Sequence, residues 1–250
     1  KEVPLIDNYI EELNVNKLDL SVDFGWFYFL TKPLFYALNF LSTKFQNFGI
    51  GIIILTIFIR IILFPLANKS FKSMNSMRIL TPEIQRVRER YKDDKQKMNQ
   101  EMFALYREKK INPAAGCLPI LIQIPIFFAL YKVLFVSIEM RHAPFFGWIK
   151  DLSAPDPTSL FNLFGLIPWD PPLFLTIGIW PLLMGLTMFL QQKINPPPPD
   201  PIQAKIFMML PFIFTFLLAT FPSGMVVYWT VNNVLSIGQQ YILLKKQKKE

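Results

Sequence analysis

One cysteine and one histidine in 250 residues exclude much chemistry at once. Cys117 has no second thiol to pair with, so no disulfide forms within the chain, and it reads as a small apolar residue at a helix end. His142 lies between apolar runs, leaving no His-paired nucleophile within them and no His-Glu-x-x-His zinc pair. No glycine-rich loop ending in Lys-Ser or Lys-Thr is present to cradle a phosphate, so nucleotide hydrolysis has no platform. These absences argue against an enzyme and call for neither metal nor cofactor. No internal repeat supports an inverted-repeat transporter. Charge is scarce as well, at 18% of residues against 52% hydrophobic, with a mean hydropathy of +0.32. That balance belongs to membrane proteins rather than to soluble domains.

What is present is a series of apolar runs long enough to cross a bilayer. They predict an all-α integral membrane protein with spans at 48–67, 117–138, 173–191, 205–222 and 223–244. Twelve Lys and Arg residues crowd 68–116, and the tail at 245–250 is also basic, whereas 139–172 carries only Arg141 and Lys150. The positive-inside rule puts 68–116, the Pro-rich connector at 192–204 and the tail in the cytoplasm, with 139–172 outside. The net charge of +8 is then a topology signal and a means of touching anionic lipid, not a mark of nucleic-acid binding.

The remaining segments have their own character. Residues 1–23 are polar, show no signal-peptide pattern, and are expected to be the remnant of a longer extracytoplasmic region. Residues 24–47 are rich in aromatics and interrupted by Lys32, Pro33 and Lys44, which fits a helix lying in the membrane interface, with a sixth span as the alternative. In 68–116, Met77, Leu80, Ile84, Val87 and Tyr91 recur at helical spacing, and Met98, Met102 and Leu105 continue it after Asp93-Asp94. This predicts a helical hairpin, with Asp94 capping its second arm, Asn112-Pro113 ending it, and Thr81-Pro82 bending or restarting the first. A mere spacer and a mobile arm for catching partners are both compatible with that periodicity. Pro119, Pro125, Pro181 and Pro211 are expected to kink their spans. Lys132 is expected to snorkel to the outer interface.

The least expected residue is Arg60, inside the most apolar run of the chain. A guanidinium at the centre of a spanning helix costs about 2.5 to 3.5 kcal/mol even on lenient scales. The other spans offer no acid to pair with it, so a wet, positively charged recess between helices is the leading explanation. Thr56 shares its face, four residues away. Trp229, Asn233, Ser236 and Gln240 form a second polar stripe, and Thr187 with Gln191 a third. Facing one another across a hydrated groove would satisfy all three stripes. The alternative is that Asn, Thr and Gln merely glue helices, at about 0.6 to 2 kcal/mol per contact.

Several ordered strings resemble the YidC/Oxa/Albino family of membrane protein insertases. They are Phe24-Gly25-Trp26, Arg60 followed by Pro65, Asp93-Asp94-Lys95-Gln96 with Gln100-Glu101-Met102, Asn112-Pro113-Ala114-Ala115-Gly116-Cys117-Leu118-Pro119, Gln123-Ile124-Pro125-Ile126-Phe127, Ala143-Pro144-Phe145, Trp148-Ile149-Lys150-Asp151-Leu152-Ser153, and Phe221-Pro222-Ser223-Gly224. The resemblance covers nearly all of 23–249. It implies a five-helix core with a groove open to cytoplasm and lipid but closed outside, and a cytoplasmic hairpin that receives substrate. Arg60 matches the groove arginine, and Thr56, Trp229 and Gln191 match groove positions, the ring being the inferred feature of Trp229. Asn233 joins them through its stripe. The implied activity is insertion of hydrophobic segments and their short outer tails into a bacterial inner membrane, alone or with the Sec translocase. Implied partners are nascent membrane proteins, the ribosome, the signal-recognition particle receptor and anionic lipids, with the monomer as the working unit. Gram-negative members add a first span and a large periplasmic domain, of which 1–22 would be the remnant. An anion channel or solute transporter using Arg60, or a purely structural scaffold, are the rival readings.

Overall fold

The computed structural model describes residues 9, 10, 12, 23, 25–112, 118–136, 138–169, 171, 172, 175–195 and 201–247. The expectations placed on Cys117, on the prolines at 196–199, on most of 1–23 and on the end of the tail lie outside these residues. Among the described residues the chain forms seven long helices and no strand.

Helix α1 (Tyr28–Phe45) buries Thr31, Leu34, Phe35, Leu38 and Ser42 on one face and leaves Trp26, before its start, and Phe29 and Phe40 exposed on the other. It ends at Gln46 in the left-handed region, and Asn47 at once caps the next helix, its Oδ1 accepting the Ile50 N–H at 3.1 Å. Helix α2 (Phe48–Arg90) then runs unbroken for 43 residues, about 65 Å at the usual rise. The helix passes 67, where the span was expected to give way to the hairpin, without a break, and it does not restart at Thr81-Pro82. Pro65 and Pro82 remove only the N–H groups that would have met the Ile61 and Arg78 carbonyls, and both of those residues are exposed. The apolar run and the first hairpin arm are therefore one rod.

Helix α3 (Lys95–Glu108) folds back on α2, started by Asp94, whose Oδ1 accepts the Lys97 N–H at 2.9 Å. Leu80, Ile84 and Tyr106 form a small core between the two arms, lined by Met77, Met102 and Leu105. The other helices are α4 (Leu118–Val136), α5 (Ile179–Ile194), α6 (Pro201–Leu218) and α7 (Ser223–Gln247). Helix α5 begins six residues later than the span expected from 173. Asp156 sets that start: its Oδ2 accepts the Trp180 N–H at 2.9 Å, and the Thr158 hydroxyl oxygen accepts the Ile179 N–H at 3.0 Å.

Helix α7 lies between α2 and α5, α6 covers α5, and α4 packs mainly on α1 while touching α2 and α7 at few points. The segment 138–178, which contains the external loop expected at 139–172, also contributes to the core. Met140, Ile149 and Leu152 are fully buried in the core shared by α1, α2, α4 and α7. It is also bonded to the start of α7: Ser223 N–H donates to Ala154 O at 2.7 Å and Gly224 N–H to Leu152 O at 2.9 Å. Gly224 permits this, because a Cβ there would stand 3.2 Å from the Leu152 carbonyl.

Burial is uneven along every helix. At the end of the bundle covered by 138–178, residues 222–228 of the α7 approach are all buried, as are Ile52, Leu55 and Thr56 of α2 and Val133 and Leu134 of α4. Towards the hairpin end, none of 57–69 in α2, 121–125 in α4, 186–194 in α5 or 237–245 in α7 is buried. The bundle is sealed at the loop end and open at the other. Large apolar side chains such as Phe58, Ile61, Phe128, Phe212 and Phe216 face outward, far more than a water-soluble surface carries. On length and composition α2 suffices to cross a membrane, and the shorter apolar stretches Leu121–Val136 and Gln203–Leu218 accompany it.

Candidate functional site

Arg60 stands where the sealed half of the bundle gives way to the open half. Helices α2 and α7 run in parallel there, with Ile52 beside Gly224, Arg60 beside Asn232 and Ser236, and Asn68 beside Gln239. Arg60 Nε donates to Asn232 Oδ1 at 2.8 Å, and Nη2 donates to Asn232 O at 3.2 Å and to Ser236 Oγ at 2.5 Å. Ser236 Oγ in turn donates to Asn232 O at 2.7 Å. The guanidinium is half-buried, and no carboxylate among the described residues is its partner. Neutral oxygens of a single neighbouring helix thus compensate its desolvation in part.

Thr56, one turn earlier, is 2% exposed and donates to Ile52 O at 2.6 Å, so its hydroxyl is satisfied within its own helix. Trp229 lies between Phe127, met edge-to-face at 4.9 Å between ring centroids, and Phe214, met at a tilt at 5.7 Å. Asn233 Nδ2 donates to Thr187 Oγ1 at 3.3 Å, and Gln240 Nε2 to Asn195 Oδ1 at 3.0 Å, both joining α7 to the α5 side. The polar stripe expected on α7 therefore divides: Ser236 turns to Arg60, whereas Trp229, Asn233 and Gln240 turn towards α5 and α6. Gln191 is half-buried and joins neither cluster.

Three further residues belong to the site and were not singled out from the sequence. Asn232 supplies two of the three contacts to Arg60. Gln239 Nε2 donates to Asn68 Oδ1 at 2.9 Å, continuing the seam towards the hairpin end. Tyr228 is buried, and its hydroxyl accepts from Gln123 Nε2 at 2.5 Å, which ties α4 to α7. The signal was present in the spacing, since 232, 236 and 239 fall on one helical face. Lys132 does not merely snorkel outward; its Nζ meets Asp23 Oδ2 at 2.7 Å just before α1.

A helical bundle faced with apolar side chains and seamed by polar ones is a fold of the helical membrane-protein class. Residues 40–250 match the family model described as 60Kd inner membrane protein, and residues 1–37 match that of the YidC periplasmic domain. The chain belongs to the 60Kd inner membrane protein family, that of the YidC insertases. It is 61% identical over 246 residues to the membrane protein insertase YidC of Pelagibacter ubique, covering 98% of this chain and 44% of that protein. The Agrobacterium fabrum protein of the same name is 58% identical, with coverage of 98% and 41%. A crystal structure of an active YidC insertase with its first transmembrane domain resolved superposes with a TM-score of 0.64 at 26% identity, over 96% of this chain and 53% of that one. The chain thus spans about two fifths of the length of these curated relatives.

Proposed function

We propose that this chain is the inserting core of a membrane protein insertase, working through a groove that opens at the hairpin end and stops at Arg60. The observation that carries the reading is the burial gradient, with a half-buried cation at its turning point that has no counter-ion among the described residues. Five helices, α2 and α4 to α7, form the spanning core, and α1 lies in the outer interface. The sealed end with 138–178 faces outward, and the hairpin, with the basic C-terminal end of α7, faces the cytoplasm.

A nascent hydrophobic segment enters from the open end with its short, often acidic, outer tail leading. Arg60 and water satisfy the tail's polar groups, Trp229, Gln191 and Asn233 flank the path, and Thr56 closes it one turn deeper. The segment then leaves sideways into lipid, past the thinly packed edge of α4 or past α5. Transfer of its apolar surface from water to lipid supplies the driving force, so no nucleotide is consumed. The basic hairpin and tail serve as the contact for the ribosome, the signal-recognition particle receptor and anionic lipid. The unit works as a monomer, alone or beside the Sec translocase.

The test is reconstitution of the full-length protein in liposomes with a single-span client. Insertion without other proteins, reduced for acidic-tailed clients by Arg60→Ala, is the expected result. Selective anion flux without insertion would replace this reading by a channel, and indifference of every client to Arg60→Ala would leave only a scaffold.

A further inference from the structure

The hydrogen bonds of Arg60 occupy one side of its guanidinium. Of its five N–H donors, the Nε proton goes to Asn232 Oδ1 and the Nη2 protons to Asn232 O and Ser236 Oγ. Nη1 has no partner among the described residues. Ser236 spends its own proton on Asn232 O, so its lone pairs remain turned to Arg60.

We propose that Asn232 and Ser236 are the positioning residues of Arg60: they clamp its Nε and Nη2 edge against α7 and leave Nη1 as the one contact offered to a passing client. The inference rests on the groove reading above and adds a chemical specificity to it. A guanidinium with a free edge grips a carboxylate through two parallel bonds and holds it. One reduced to Nη1 takes a single oxygen, from a carboxylate or a carbonyl, and lets it go. For a group that must pass polar tails onward, the weaker grip is the useful one, and its chemistry favours anionic tails without trapping them.

The experiment compares two clients, identical except for an acidic or a neutral outer tail, in liposomes holding the full-length protein. The readout is the acidic-to-neutral ratio of insertion, together with the lifetime of the tail's crosslink to a probe at position 59. Asn232→Asp sets a carboxylate against the clamped edge, and the acidic-to-neutral ratio should fall about tenfold, since like charges oppose each other in a desolvated site. Asn232→Ala frees the edge, and the acidic tail's crosslink should persist several times longer than the neutral tail's. Ser236→Ala, which removes one bond of three, should shift the lifetime in the same direction by less, and it decides the matter if the Asn232 variants fail to fold. A loss of general stability would lower both clients alike and leave the ratio unmoved. If Arg60→Ala lowers the ratio while every folded Asn232 and Ser236 variant keeps both the ratio and the crosslink lifetime of the unmutated protein, the clamp is wrong and the groove survives. If Arg60→Ala also leaves the ratio unchanged, the groove itself is wrong.

Discussion

Arg60 and Tyr228 show how single polar groups are accommodated in this apolar bundle. Each meets a polar partner on an adjacent helix, Asn232 and Ser236 for the first and Gln123 for the second. Deleting one member of such a pair strands the other in a place that water or lipid serves poorly. Tyr228→Phe keeps the ring and its packing but orphans the Gln123 amide, and it should cost about 1 to 3 kcal/mol. A lowered unfolding temperature in detergent, restored by adding Gln123→Leu, is the expected measurement. At this scale the sequence exposed Arg60 at once, because a charge in an apolar run is conspicuous. Asn232 escaped notice because it sits beside Asn233, and the two point about 100° apart on the helix. Only the rotation of α7 decides which of them meets the arginine.

Among the elements, the segment 138–178 is the one whose role periodicity could not announce. Its Asp156 is 4% exposed, accepts from Trp148 Nε1 at 3.1 Å and from the Thr158 N–H and hydroxyl, and caps α5 from 23 residues upstream of Ile179. Gly178 must be glycine there, because a Cβ would run into the Asp156 carboxyl. Asp156→Ala leaves the first turn of α5 unpaired and should lower stability by about 1 to 3 kcal/mol, with faster amide exchange concentrated at 179–182. Two other carboxyls tie down the same end of the bundle. Burial pushes Asp151 upward, but hydrogen bonds from the Ser153 hydroxyl and N–H, and His142 beside it, outweigh that and hold it below its ordinary 3.8. The hydrogen bond from Lys132, with the Gly25 N–H and the lysine charge, holds Asp23 below 3.8 as well. A folded value below the unfolded one means stability that is present above 3.8 and is lost as pH falls through the lower folded value. Unfolding temperature should therefore stay level through neutral pH and drop only below 3.8, and Asp151→Asn should flatten part of that drop.

Across the whole molecule, the contrast between a sealed and an open end governs what can reach Arg60. Photo-crosslinkers on the full-length protein should capture a stalled nascent chain at the half-buried Ile59 and Trp229, and should fail at Ile149 and Val133, which are buried under the loop. Equal capture at both sets would remove the gradient as a guide to the client's path. The hairpin shows the same division between local and distant causes. Its seam was legible as Met77, Leu80 and Ile84 on one arm and Met102 and Leu105 on the other. That its first arm continues α2 without a break was not, because Thr81-Pro82 signals an interruption and only the exposure of the Arg78 turn it disturbs makes it harmless.

The order of helices, the apolar stretches that build them, the cap at Asp94 and the misplaced cation at Arg60 were determined by the sequence alone, since helix periodicity, capping and charge are properties of neighbours in the chain. Which face of α7 meets α2, which carboxylate starts α5, and where along the helices burial gives way were decided only by the tertiary structure. Such pairings join residues up to 176 positions apart, as Arg60 and Ser236 are. No repeat of 3.6 residues specifies the neighbour that a helix face will find; packing among all the helices does.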